Sequence, residues 1–148
     1  MTLEIIHKLF IRDLNKLRNE IDAFTDEFNI WIINKSITNS AGNLCLHLVG
    51  NLNFYIGTTL GQTGYKRNRE QEFTLKGLSK RELLFRIDNT IIMINNVMPA
   101  LGELDAAKEY PILVLEEKTS IEFFMIHLVG HLNYHLGQIN YHRRILDK

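Results

Sequence analysis

The residues best suited to chemistry lie near the C-terminus, in the stretch HLVGHLNYHLGQ from His127 to Gln138. His127, His131 and His135 recur every four residues, so a helix stacks them along one face. Two imidazoles one turn apart are the means by which a helix offers two nitrogens to one transition-metal ion. The stripe does not say which pair does so, because His127/His131 and His131/His135 are equivalent. All three cannot share one ion on a straight helix, since the outer two stand about 12 Å apart along the axis. A further ligand has to come from elsewhere, and the chain offers one in HLVGNLNFYIG, His47 to Gly57. There His47 aligns with His127, Gly50 with Gly130, Asn53 with Asn133 and Gly57 with Gly137, while Asn51 and Tyr55 stand at the other two histidine positions. Three neutral histidines would leave a divalent ion with open positions, which is the catalytic rather than the structural pattern. The same spacing also occurs on ordinary helix surfaces, and a lone histidine is often a hydrogen-bonded interior residue.

Asn51 and Gln138 lie close to these histidines in the chain, and either side chain could orient a ligand imidazole. Filling a polar position between helices would explain them equally well. Cys45 is two residues from His47, about 200° around a helix, and reads as packing. Arg67, Arg69, Glu70 and Glu72 form a dense mixed-charge cluster, expected to be a solvated loop tied by local ion pairs. The functional alternative is an arginine, Arg67 or Arg69, reaching over the metal pocket to fix a substrate carboxylate. His7 and His142 fall outside the repeat and read as solvent-facing. Glycine-rich phosphate loops, nucleophile elbows and Cys-x-x-Cys pairs are absent from the sequence.

The elements that must position the histidines follow from apolar spacing. Ile6, Phe10, Leu14, Leu17 and Ile21 repeat at three and four residues, predicting an amphipathic first helix from Leu3 to about Ala23 with a break near Phe24. A second helix is expected from about Ser40 to Leu60, capped by Asn39 or Ser40. The connection GQTGYKRNREQEF follows. A third helix starts at a Ser79/Glu82 capping box and stops at Pro99. Residues 100–118 read as a second long connection, with Tyr110-Pro111-Ile112-Leu113 extended. The last helix starts at Thr119, paired with Glu122, and runs to about Leu146. Four substantial helices predict an all-α chain folded as a four-helix bundle. In an up-down bundle the two repeated helices run parallel with matching residues at similar depth, and glycines seven residues apart would let helices approach closely.

With 148 residues, 45% hydrophobic, the chain fits one domain spanning 1–148 with a real core. Seventeen basic residues balance seventeen acidic ones, so no overall field favours nucleic acid or an anionic membrane. The single cysteine fits a reducing compartment. Neither a signal-peptide core nor an apolar run long enough to span a membrane is expected, and a cytoplasmic location is the default.

The histidine in helix two, the His-x-x-x-His pair in helix four and the Gly-Gln two residues later resemble the DinB/YfiT-like superfamily of metal-binding four-helix bundles. The stretch NLCLHLVGNLNFYIG followed by RNREQEF, with Glu72-Phe73, resembles one little-characterised bacterial branch of it. The likeness spans nearly the whole chain in helix order. It implies His47, His131 and His135 as ligands of a divalent ion, zinc or nickel, with His127 lining the pocket as the nearest candidate general base. It further implies a metal-dependent thiol transferase using a low-molecular-weight thiol, or a hydrolase of small amides or esters, and a homodimer. A bundle that binds metal or a small molecule without turnover is the alternative.

Overall fold

Apolar spacing, serine caps and one proline set the helices that carry the histidines. The computed structural model describes residues 2–148, and among them it is all-helical, with four long helices and two short ones. The long ones are α1 (Thr2–Asp22), α2 (Ala41–Leu52), α4 (Lys80–Val97) and α6 (Ile121–Leu146); the short ones are α3 (Arg69–Thr74) and α5 (Glu103–Ala106). No helix among the described residues is long and apolar enough to cross a membrane.

The expected stripe of α1 is buried as a set, from Leu3 and Ile6 to Ile21, and includes Asp13. Helix α2 is different in kind. All twelve of its residues are buried, the polar stripe of Asn43, His47 and Asn51 included, so it runs through the interior rather than along a face. Ser40 caps it by accepting from the Asn43 backbone N–H. Beyond Leu52 the helix continues with π geometry over Asn53–Thr58, where Thr59 N–H reaches back to Phe54 O and Gly61 N–H to Ile56 O. Such a widened turn loosens the carbonyl ladder, and the Tyr110 hydroxyl donates to Tyr55 O at 2.6 Å.

The connections are more structured than their composition suggests. Asn68 caps α3 by accepting from Gln71 N–H, inside the stretch expected to be a solvated loop. The buried Asn43 of α2 then fastens α3 from below, its amide donating to the Glu72 and Leu75 carbonyls, each at 2.9 Å. Ser79 caps α4 as expected, but Glu82 turns outward to Arg86 instead of completing the box. The cap of α6 is Ser120, one residue beyond the expected Thr119. The Thr119 carbonyl is engaged by Tyr110 N–H at 2.8 Å and Ser120 bridges Glu109, so the backbone before α6 pairs in extended form and the hydroxyl of the next residue reaches the helix. Residues 111 to 117 turn through bends rather than running extended.

Helix α6 is tied to α1 by Asn133 donating to Asp13 at 2.6 Å, and by Asn140 and Arg143 donating to Glu20 at 2.7 and 2.8 Å. Its end is fixed by Asp147, whose carboxylate accepts from Thr25, Asp26 and Asn29. His142, expected at the surface, is buried. It follows Ile139 by three residues on the inward stripe of α6, and that position overrides its polarity. The repeated glycines do not serve one common purpose. A Cβ at Gly50 would collide with the Glu72 carboxylate, whereas Gly130 and Gly137 face open space.

Candidate metal centre

Three of the four histidines singled out by spacing meet where α2 crosses α6. One ring nitrogen from each of His47, His131 and His135 lies within 4.8 Å of the other two, a grouping that could hold a metal ion. His47 Nε2 and His131 Nε2 are 3.1 Å apart. Nitrogens held at about 2.0–2.1 Å from one tetrahedral ion stand about 3.3 Å from each other, so this separation fits a shared ion. The rings of His131 and His135 meet edge to face at 4.6 Å, and both stand nearly perpendicular to His47.

The surrounding hydrogen bonds decide which nitrogen each ring presents. His47 Nδ1 is 3.0 Å from Glu72 Oε1, with both side chains buried. Burial alone would raise the Glu72 carboxyl, but hydrogen bonds from His47 and Arg67, reinforced by the Arg67 charge, hold it below the usual carboxylate value. An ionised carboxylate only accepts, so Nδ1 donates to Glu72 and Nε2 is the nitrogen turned toward the cluster. His135 is set in the same way from its own helix: its Nδ1 lies 2.7 Å from the amide oxygen of Gln138, again leaving Nε2 for the cluster. His131 is pushed down to about 4, first by burial and then by the neighbouring His135, His47, His127 and Arg67. At neutral pH it is an uncharged ring, and its Nδ1 is buried without a partner. The three imidazoles, two of them oriented through Nδ1 by a neighbouring oxygen, make a donor set that could hold a transition-metal ion.

Glu72 does not act alone. Arg67 clamps it bidentately, Nε to Oε2 at 2.8 Å and Nη2 to Oε1 at 2.9 Å, with the arginine side chain 11% exposed and the glutamate 6%. Arg67 also lies over the Tyr55 ring at 5.5 Å. The pair expected on a solvated loop is therefore an interior one, because α3 folds down onto α2. The missing side chain of Gly50 is what admits the carboxylate. Phe73, next along α3, covers His47 at 5.0 Å between ring centres.

The other sequence candidates are placed unevenly around this constellation. His127 is exposed and stacked on Phe124 at 5.7 Å, so equivalent positions of the repeat do not meet: His47 faces His131 and His135. Asn51 is buried with its side-chain oxygen unpartnered. Gln138 does orient a histidine of the trio. Arg69 is exposed at the start of α3. Cys45 is fully buried, and burial pushes its thiol up to about 12, as packing requires of an inert sulfur. Spacing gave Glu72 and Phe73 no role, although both stand in the charged stretch RNREQEF; the Asn68-x-x-Gln71 start pattern marks the helix that carries them.

Over residues 3–148 the chain matches the family described as "Protein of unknown function (DUF1572)", and it belongs to that family. A comparison with curated proteins finds no match.

Proposed function

We propose that this DUF1572 protein is a metal-dependent enzyme of the DinB/YfiT-like kind, a four-helix bundle in which His47, His131 and His135 hold one zinc or nickel ion. The observation that supports the reading best is the pair of outer hydrogen bonds, Glu72 to His47 and Gln138 to His135. Each engages Nδ1 and leaves Nε2 as the nitrogen that would face an ion shared with His131. A divalent ion there would supply Lewis-acid activation of a low-molecular-weight thiol or of water, with positions open beyond the three nitrogens. The thiol would serve a transferase reaction, and water the hydrolysis of a small amide or ester.

The protein's own groups have separable tasks in this reading. Glu72 keeps the proton on His47 Nδ1 and raises the basicity of Nε2, as carboxylates behind metal-binding histidines do. Arg67 holds Glu72 ionised and in place through Nε and Nη2. Phe73 excludes water from one face of His47. His127, exposed one turn before His131, is the nearest further imidazole able to accept a proton from an incoming thiol or water.

Cobalt substitution tests the proposal. Cobalt(II) bound by the trio should give visible bands of a low-symmetry site, and an added thiol should add a sulfur-to-cobalt charge-transfer band. Both should vanish in the His131→Ala/His135→Ala variant. Bands insensitive to thiol, with no ester hydrolysis, would mark a binding module without turnover. Cobalt bands unchanged in the variant would remove the site.

A further inference from the structure

Helix α6 packs one side inward, and its outer side is not that of a helix facing water. From Phe123 to His142 it carries no Asp, Glu, Lys or Arg. Its charges are confined to the ends, with Glu122 in the first turn and Arg143 and Arg144 in the last. A surface helix normally sets charged residues opposite its apolar face. Here Phe123, Ile126, Tyr134, Tyr141 and Ile145 stand between 51% and 66% exposed instead. Their spacing puts them in one stripe, about 33 Å long from Phe123 to Ile145. At about 150–250 Å² for a large side chain they present on the order of 600 Å², most of the roughly 800 Å² that each partner gives to a standard interface. Scattered apolar residues need no explanation, but a contiguous patch of this size marks an interaction site.

Gly130 and Gly137 lie on the same side of α6. A Cβ at either would meet nothing within the chain, so internal packing does not call for glycine at these positions. Glycine also weakens a helix interior relative to alanine. Bare backbone between protruding rings suits a helix that approaches from outside.

We propose that this stripe packs against the same stripe of a second copy of the chain, the two α6 helices running antiparallel about a two-fold axis level with Leu132. Residues equally far from Leu132 on either side then face each other. Tyr134 lies over the partner's Gly130, and Phe123 meets the partner's Tyr141, so large residues find small ones near the axis and rings meet farther out. The same arrangement brings Glu122 beside the partner's Arg144 and opposes the two helix dipoles. Seventeen basic and seventeen acidic residues leave the chain without net charge, so two copies do not repel. Such an isologous pair closes on itself. His127 leans off the stripe onto Phe124, and His131 and His135 turn to His47 of α2, so the pairing needs no metal and stands apart from the metal-centre reading.

Sedimentation velocity with chelator present, from about 1 to 100 µM protein, tests the pairing. The wild type should reach twice the chain mass of 17.3 kDa. Gly130→Leu adds a side chain that is free within the chain but collides with the partner's Tyr134, and Tyr134→Glu sets a charge against uncharged surface. Each should raise the dissociation constant about tenfold or more while circular dichroism shows the helices kept. Phe85→Glu, at an exposed apolar residue of α4, should leave dimerisation unchanged. Phe123→Cys protein mixed with Tyr141→Cys protein should form a disulfide-linked pair under oxidised glutathione, and Phe123→Cys alone should not. Cys45 is fully buried and does not interfere. A chain monomeric throughout, a dimer that survives both Gly130→Leu and Tyr134→Glu, a dimer broken by Phe85→Glu, or a link formed by Phe123→Cys alone would overturn the proposal. Dimerisation of a protein that takes up no zinc would sink the metal reading and leave this one standing. Zinc uptake by a lasting monomer would do the reverse.

Discussion

Replacing Glu72 by glutamine isolates the side chain on which the centre depends. Its carboxylate accepts from His47 Nδ1 at 3.0 Å and from Arg67 at 2.8 and 2.9 Å, and it is 6% exposed. The amide keeps the shape but strips the charge that balances a nearly buried guanidinium. Removing one partner of a buried ion pair costs about 3–5 kcal/mol, and the retained amide oxygen places Glu72→Gln near the lower end, about 3 kcal/mol. For a domain of this size that corresponds to a fall in Tm of about 6–12 °C. Urea unfolding at pH 7 in chelator measures it without interference from metal, and the transition slope should stay unchanged while the midpoint falls. The double variant Arg67→Met/Glu72→Met removes both charges and should lose less than the sum of the single variants, with a coupling of about 1–3 kcal/mol. A loss below about 0.5 kcal/mol in Glu72→Gln, the range of an ordinary surface substitution, would refute the buried clamp.

Three further outcomes follow from the same structure. His131 is held near 4 when folded, by burial first and neighbouring positive charge second, against 6.5 when free. The unfolded chain therefore takes up the proton more readily, and metal-free stability falls as pH drops from 6.5 to about 4, with no further loss from this group below that. The ring is partly exposed, so solvent screening reduces the full effect to about 1–2 kcal/mol, measured as the flatter pH profile of His131→Phe between those limits. Gln138→Leu should cut zinc affinity about 10–100-fold in a competition titration, because the Gln138 amide oxygen fixes the proton on His135 Nδ1. Ser120→Ala should lose about 1 kcal/mol by urea unfolding and Thr119→Ala much less, since the Ser120 hydroxyl caps α6.

The long helices were legible from the apolar stripes of α1 and α4, from serine caps at or next to the starts of α2, α4 and α6, and from the proline after α4. The trio was legible because its members are chemically distinctive and recur at turn spacing. What the sequence concealed lies in α3. That helix has six residues, too few for periodicity to register. Arg67 and Glu72 have the composition of a surface, and their burial depends on Gly50 and Asn43, more than fifteen residues away in the chain. His142 misled for the related reason that polarity was weighed above its place on the inward stripe of α6. The repeat misled through its register: equal sequence positions imply equal depth only if the two helices pack symmetrically, and His47 meets His131 and His135 rather than His127.

Metal content tests the account most directly. Protein purified without an affinity tag, dialysed against trace zinc and nickel and analysed by elemental mass spectrometry, should carry about one divalent ion per chain, the stoichiometry of a single three-histidine site. The His131→Ala/His135→Ala variant, folded by circular dichroism, should carry essentially none. Wild-type protein that takes up no zinc or nickel, or a variant that retains it undiminished, would contradict the assignment of His47, His131 and His135 as a metal centre.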